Sequence, residues 1–235
     1  MIHDRPMSQL TLDLGWRPAF GIEDFAVGAA NRDAVRWLDR WPDWPAPALA
    51  VHGPPACGKT HLAQVWRRRG GALSLTLADL SGASPEAILG ETRAVVIDGA
   101  DGGDLDQRAL LHLHNVIAER RGHLLLTGRG PPARWPLTLA DLRSRLAASP
   151  AVAMGAPDDA LIAAVMTKLF TDRGLAVDRA VIAFALARIE RSFAAAQRLV
   201  AALDRAALAA HRRVTVPLAG AVLADLETSR HQEQE

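Results

Sequence analysis

Residues 53–60 read Gly53-Pro54-Pro55-Ala56-Cys57-Gly58-Lys59-Thr60, which meets the pattern G-x-x-x-x-G-K-[ST] at every fixed position. An apolar run, Ala48 to Val51, precedes it and a helical run, His61 to Arg69, follows, so the loop sits between a strand and a helix. That context constrains the fold more than any other part of the chain. The glycines permit a tight turn that aims backbone N–H groups at phosphate oxygens. The new helix adds its positive N-terminal end. In this arrangement Lys59 reaches the β- and γ-phosphates and Thr60 holds Mg²⁺. The expected ligand is a nucleoside di- or triphosphate, ADP or ATP.

The surrounding pattern extends the strand–loop–helix unit. Strands are expected at 48–52, 72–77, 93–98, 123–128 and 151–154, alternating with helices at 59–69, 84–90, 106–121 and 138–147. A helix at about 31–40 comes first, separated from the first strand by the Trp/Pro-rich stretch Trp41 to Pro47. Ser84-Pro85-Glu86 offers an N-cap followed by proline at the first helical position. Such alternation implies a parallel five-stranded sheet flanked by helices. After Pro157 the strands stop, and 158–173, 178–189, 192–211 and 216–226 read as helices, broken at Gly174 and at Val214-Thr215. The expected organisation is an extended segment at 1–15, an α/β nucleotide-binding domain at 16–156, a small all-α lid at 157–228 and a flexible tail at 229–235.

Composition narrows the partners. The net charge of +1 provides no overall field for nucleic acid, and the basic runs Arg67-Arg68-Arg69 and Arg120-Arg121 fall where helix ends favour positive charge. Only Lys59 and Lys168 are lysines among the 27 basic residues, and one of them stands where a compact, flexible ammonium is wanted. No apolar run reaches membrane-spanning length, and residues 1–6 lack the layout of a signal peptide. With a single cysteine, Cys57, inside the phosphate loop, these features predict a cytoplasmic protein without membrane contact. His112 and His114 lie about 200° apart on their helix and cannot jointly grip a metal. The six tryptophans sit at apolar or Pro-flanked positions that suit packing better than base stacking.

Further polar residues bear on phosphate chemistry. Ala94-Val95-Val96-Ile97-Asp98 is an apolar strand ending in an acid that can hold Mg²⁺ opposite Thr60. Gly99 follows, where a second carboxylate would orient water, so Asp101 is the nearest substitute. Leu124-Leu125-Leu126-Thr127-Gly128 is a buried strand whose end suits either a contact to phosphate from Thr127 or simple strand closure. In Asp141-Leu142-Arg143-Ser144-Arg145-Leu146, Arg145 on its own reads as a surface ion-pair residue.

Val51-His52-Gly53 through Gly58-Lys59-Thr60-His61-Leu62 closely resembles the phosphate loop of the bacterial replication initiator DnaA family and its Hda relatives, in the AAA+ class. Phe25-Ala26-Val27-Gly28-Ala29-Ala30-Asn31 resembles the family's adenine-side segment, Thr127 to Pro132 its sensor 1 strand, and Leu139 to Leu146 its arginine-finger box. With Leu203 to Ala206 and Val214 to Pro217, the resemblance covers nearly the whole chain. It implies that Phe25, Val27, Asn31 and His61 join the loop around the nucleotide, and that Arg145 acts in trans on a neighbour's nucleotide. Gln9-Leu10-Thr11-Leu12-Asp13-Leu14 resembles the peptide by which Hda proteins bind the β sliding clamp of DNA polymerase III, through Gln9, Leu10, Leu12 and Leu14. The chain given also ends soon after the lid, without the helix-turn-helix of the initiators, which favours the Hda branch. The implied role is negative regulation of replication initiation by promoting ATP hydrolysis on DnaA, with DNA met only through the clamp and with homodimers or higher oligomers left open.

Three positions depart from the family pattern. Ala194 stands where the sensor 2 arginine is expected, with Arg191 one turn earlier; Arg129 follows the sensor 1 strand; and Gly99 follows the acid. These leave the protein's own hydrolysis, and its choice between ADP and ATP, undecided. An autonomous P-loop ATPase and a DnaA-like loader acting on DNA are the competing readings.

Overall fold

The computed structural model describes residues 25–82 and 84–232, so the segment Gln9–Leu14 lies outside the described residues. The first helix, α1 (Arg32–Asp39), precedes β1 (Ala48–His52), α2 (Lys59–Gly70) and β2 (Leu73–Leu75). Two short helices, α3 (Leu77–Leu80) and α4 (Pro85–Leu89), lead to β3 (Ala94–Ile97), α5 (Gln107–Glu119) and β4 (His123–Gly128). A 3-10 turn at Pro132–Arg134, α6 (Ala140–Ala148) and β5 (Ala151–Ala153) complete the base. The lid follows as α7 (Asp159–Asp172), α8 (Arg179–Leu186), α9 (Phe193–Ala210) and α10 (Val216–Gln232).

The five strands pair in parallel in the order β2-β3-β4-β1-β5, as the alternation of elements predicts. Successive side chains of a strand point to opposite faces, and helices cover both faces here. Leu49, Val51, Val96 and Leu125 pack with α1 and α2, including Leu38, Leu62 and Trp66. Their chain neighbours Ala48, Val95, Ile97, Leu124 and Leu126 pack on the other side with Leu110, Leu113 and Ile117 of α5 and Leu142 of α6. Strands buried on both faces therefore carry unbroken apolar runs. Trp44, Trp66 and Trp135 are buried, and Trp44 stacks on Trp66 at 5.4 Å, so these rings serve packing.

Element ends differ from the sequence expectation where capping decides. The expected strand 72–77 stops at Leu75 because Thr76 and Asp79 form a reciprocal capping box that opens α3. The last helix runs to Gln232 rather than 226, past the last apolar residue of the stripe. Extending a helix already docked by Ala219, Val222 and Leu223 requires fixing only one residue per added bond.

The lid has its own core, with Ile162, Met166 and Phe170 of α7 against Leu199, Val200 and Leu203 of α9. Asp158 accepts from the Leu161 N–H and Ser192 from the Ala195 N–H, so both helices that face the base start on a side-chain cap. Among the described residues, no helix is long and apolar enough to cross a membrane.

Candidate functional site

The phosphate loop leaves β1 and enters α2 through backbone conformations that fix its shape. Gly58 has φ +95° and Ala56 φ +59°, alternating left-handed residues that turn N–H groups into a concavity. Gly53 admits no side chain, because a Cβ there would lie 2.2 Å from the Met154 carbonyl oxygen. Gly58 is the N-cap residue of α2 and supplies no side-chain cap, so the first-turn N–H groups of α2 face outward for an anion. The Lys59 ammonium curls over the loop, donating to the carbonyls of Gly53 (2.9 Å) and Pro54 (2.8 Å), with the Cys57 sulfur at 3.7 Å.

Across from the loop, the Thr60 hydroxyl donates to one Asp98 oxygen at 2.7 Å. The Thr127 hydroxyl donates to the other Asp98 oxygen and accepts from the Gly99 N–H at 2.9 Å. Thr127 is buried, and both capacities of its hydroxyl serve to orient Asp98. A hydroxyl and a carboxylate in contact on the rim of a phosphate loop form the donor pair that fits Mg²⁺, with phosphate oxygens and water completing its shell. Among the described residues, no group of three or more His, Cys, Asp or Glu could hold a metal without such help.

A cavity of about 600 Å³ lies between this loop and the lid. From the base come Phe25, Ala56, Gly58, Lys59, Thr60 and His61, which the sequence singled out, together with Ala26 and Gln64, which it did not mark. The rings of Phe25 and His61 stack with centroids 5.4 Å apart and planes 14° from parallel, a flat apolar edge suited to a nucleobase. Gly53, Pro54, Pro55 and Cys57 shape the loop behind that surface. Asn31 turns into the base: its Oδ1 accepts from the Gly28 N–H at 2.8 Å and its Nδ2 donates to the Ala26 carbonyl at 2.9 Å. Val27 packs on the core beneath. The segment 25–31 thus presents Phe25 and Ala26 to the cavity, while Asn31 holds it in place.

The lid wall went unseen in the sequence apart from Ala194. Val165, Lys168, Leu169 and Asp172 line the cavity from α7, and Phe193, Ala194 and Gln197 from α9. The first four recur at i, i+3, i+4 and i+7, one face of a helix, and the signal that could have found them is that spacing together with the rarity of lysine. Phe193 touches the loop itself, since a Cβ on Gly58 would lie 2.8 Å from its ring. Arg191, the nearest arginine to the sensor 2 position, makes a two-pronged bond to Asp159 at 2.6 and 3.2 Å. That bond holds the Asp159 carboxyl below the usual range.

Asp101 is similarly engaged, accepting from the Arg129 N–H at 2.6 Å. Gly99 has φ +72°, a conformation that suits glycine, with open space around it. Arg145 sits in the last turn of α6, 41% exposed, its Nε 3.1 Å from Asp141. Gln107 fastens the start of that helix: its Oε1 accepts from the N–H groups of Thr138 and Leu139, each at 2.9 Å, and its Nε2 donates to the Pro136 carbonyl. Sequence reasoning missed this clamp because it joins residues some thirty positions apart. Beneath Arg145, His114 is buried without a hydrogen-bond partner for either ring nitrogen among the described residues. Burial, then the Arg145 charge, pushes its pKa below the ordinary histidine value.

Residues 159–223 match the family described as the Hda lid domain. The fold is similar to domain III of the Thermotoga maritima replication initiation protein DnaA, with a TM-score of 0.72 at 18% identity, covering 89% of this chain and 98% of that one. AMPPCP-bound DnaA from Aquifex aeolicus matches with a TM-score of 0.61 at 18% identity, over 75% of this chain and 62% of that longer one. The Thermotoga maritima RuvB Holliday junction branch migration motor matches with 0.60 at 15% identity, over 77% and 62%. No curated protein matches the sequence. The lid thus carries the Hda lid domain match and the whole chain shares the fold of DnaA domain III, which makes the protein Hda-like.

Proposed function

We propose that the protein binds an adenine nucleotide, ADP or ATP with Mg²⁺, in the cavity between base and lid. We further infer that it regulates replication initiation by presenting Arg145 to ATP held by DnaA. The observation that carries the reading is the cavity itself. A concave N–H loop, Lys59 and the Thr60–Asp98 pair line or rim one end, and the Phe25–His61 stack offers a flat apolar surface. The AMPPCP bound to the similar DnaA of Aquifex aeolicus supports the choice of ligand class. Thr60 and Asp98 would share Mg²⁺ with the phosphates, and the metal would neutralise phosphate charge. Lys59 would leave its two loop carbonyls for the β/γ oxygens.

The chain's own site is poorly equipped for hydrolysis. Gly99 has no base to offer, and Asp101 already accepts a backbone N–H. Arg145, by contrast, is exposed on a helix that Gln107 anchors firmly. An exposed guanidinium on a rigid support suits a finger that stabilises the charge of a transferring phosphoryl on a partner. Residues 9–14 would tether the protein to the sliding clamp, and nucleotide would set the angle between base and lid.

The test is ATP hydrolysis by the cognate DnaA with clamp loaded on DNA, in the presence of the wild type or of Arg145→Ala. The wild type is expected to accelerate hydrolysis, and the variant to lose about 10³-fold of any finger-dependent rate. Equal acceleration by both would remove the finger from the account. Clamp binding without acceleration by either would make the protein a clamp-bound module with another target.

A further inference from the structure

Both lysines of this arginine-rich chain line one cavity: Lys59 from the loop and Lys168 from the lid. Lys168 lies on α7 between Val165 and Leu169, which face the same space, and its side chain is 22% exposed. Its ammonium donates to both oxygens of Asp172, each at 2.9 Å. Among the described lining residues from the lid it is the one cation; Ala194 and Phe193 carry no charge, and Gln197 is neutral. Arg191 is held by both prongs to Asp159 instead.

Resting on the nucleotide reading of the cavity, we propose that Lys168 is the lid residue that contacts the polyphosphate of the bound nucleotide. Polyphosphate brings several negative charges into a space whose base wall offers Lys59 and the end of α2. A second ammonium on a flexible four-carbon stem meets such a charge from the opposite wall as a point charge, without demanding the planar register an arginine needs. Asp172, a partner it would share with phosphate, is a partly exposed i+4 neighbour, and pairs of that kind are weak. Contact from α7 then links closure of the lid to phosphate charge. No covalent step is involved.

The experiment is titration of the full chain with fluorescent ADP and ATP analogues and Mg²⁺, for wild type, Lys168→Met, Lys168→Arg, Arg191→Ala and Lys59→Ala. Lys168→Met keeps the aliphatic stem and is expected to weaken binding about tenfold and to flatten its salt dependence. Lys168→Arg should recover most of the loss, and Arg191→Ala should bind as the wild type does. Lys59→Ala should lose binding altogether. Wild-type affinity in Lys168→Met alongside loss in Lys59→Ala would overturn the assignment of Lys168 while leaving the nucleotide site standing. A tenfold loss in Arg191→Ala with none in Lys168→Met would move the contact to Arg191. Undiminished binding in Lys59→Ala would sink the nucleotide reading and this proposal with it.

Discussion

The base meets the cavity chiefly with the phosphate loop and the start of α2, Ala56 to Gln64, joined by Phe25 and Ala26; the lid meets it with side chains spaced along α7 and α9. The base wall is fixed by conformations at Ala56 and Gly58 that leave little choice of residue. The lid wall is the outer face of helices whose inner faces, through Met166, Phe170 and Leu199, form the lid core. Any motion of that wall therefore carries the whole lid. Base and lid touch where Phe193 lies on Gly58 and where Leu161 lies against Gly28. On the nucleotide reading proposed above, the difference teaches that phosphate would be located by backbone geometry on one side and met by side-chain chemistry on the other.

The strongest test of that contrast acts where the walls touch. Gly58→Ala forces a Cβ into a left-handed residue, costing about 1–2 kcal/mol, and drives it into the Phe193 ring. Nucleotide affinity should fall at least tenfold, read by fluorescence titration, with a lower Tm. Phe193→Leu on that background should recover part of the loss, because it relieves the clash but not the backbone strain. A double variant no better than Gly58→Ala would mean that the walls are not coupled there.

A smaller effect should separate the two regions. Ser192→Ala removes the buried cap of α9 and is expected to cost about 1 kcal/mol. Hydrogen exchange should speed in α9 and in the helices packed on it, and stay unchanged in β1, β3 and β4. Equal acceleration in both regions would show that lid and base unfold as one.

The smallest prediction concerns pH, and it belongs to the base alone. His114 has a folded-state pKa below its unfolded value, so the unfolded chain takes up the proton first. Stability should fall as pH drops through about 6.5, the unfolded value, and go on falling until the folded pKa is reached. His52 and His123 are shifted in the same direction by burial and add to that slope. His114→Leu should flatten the acid limb of a urea-denaturation series without lowering stability at pH 8. An unchanged limb would place the proton uptake on the other two histidines.

What could be read from residues follows the same division. The placement of Lys59 and Thr60 on the loop, with Asp98 beside them, was legible because a loop between strand and helix, and an acid at a strand end, are local signals. The sheet was legible because strands buried on both faces leave continuous apolar runs such as Ala94 to Ile97. The lid wall was not read, because helical apolar positions at the cavity and in the core share one period; only the rare lysine, Lys168, sets the cavity face apart. Side chains that act on distant backbone were equally hidden. Gln107 caps the start of α6 from α5, and Thr127 spends its hydroxyl on Asp98 and Gly99; neither bond leaves a mark on its own segment.

Asn31 has one more consequence. Through Gly28 and Ala26 its amide ties the chain off just beyond Phe25, and the adjoining Ala30 carbonyl accepts from the Gly155 N–H at the exit of the sheet. The knot works as a cleat does on a rope. A load applied to the chain ahead of residue 25, by whatever grips it there, would run to the aromatic edge of the cavity and stop. Tension from outside would thus arrive at the Phe25–His61 edge of the cavity.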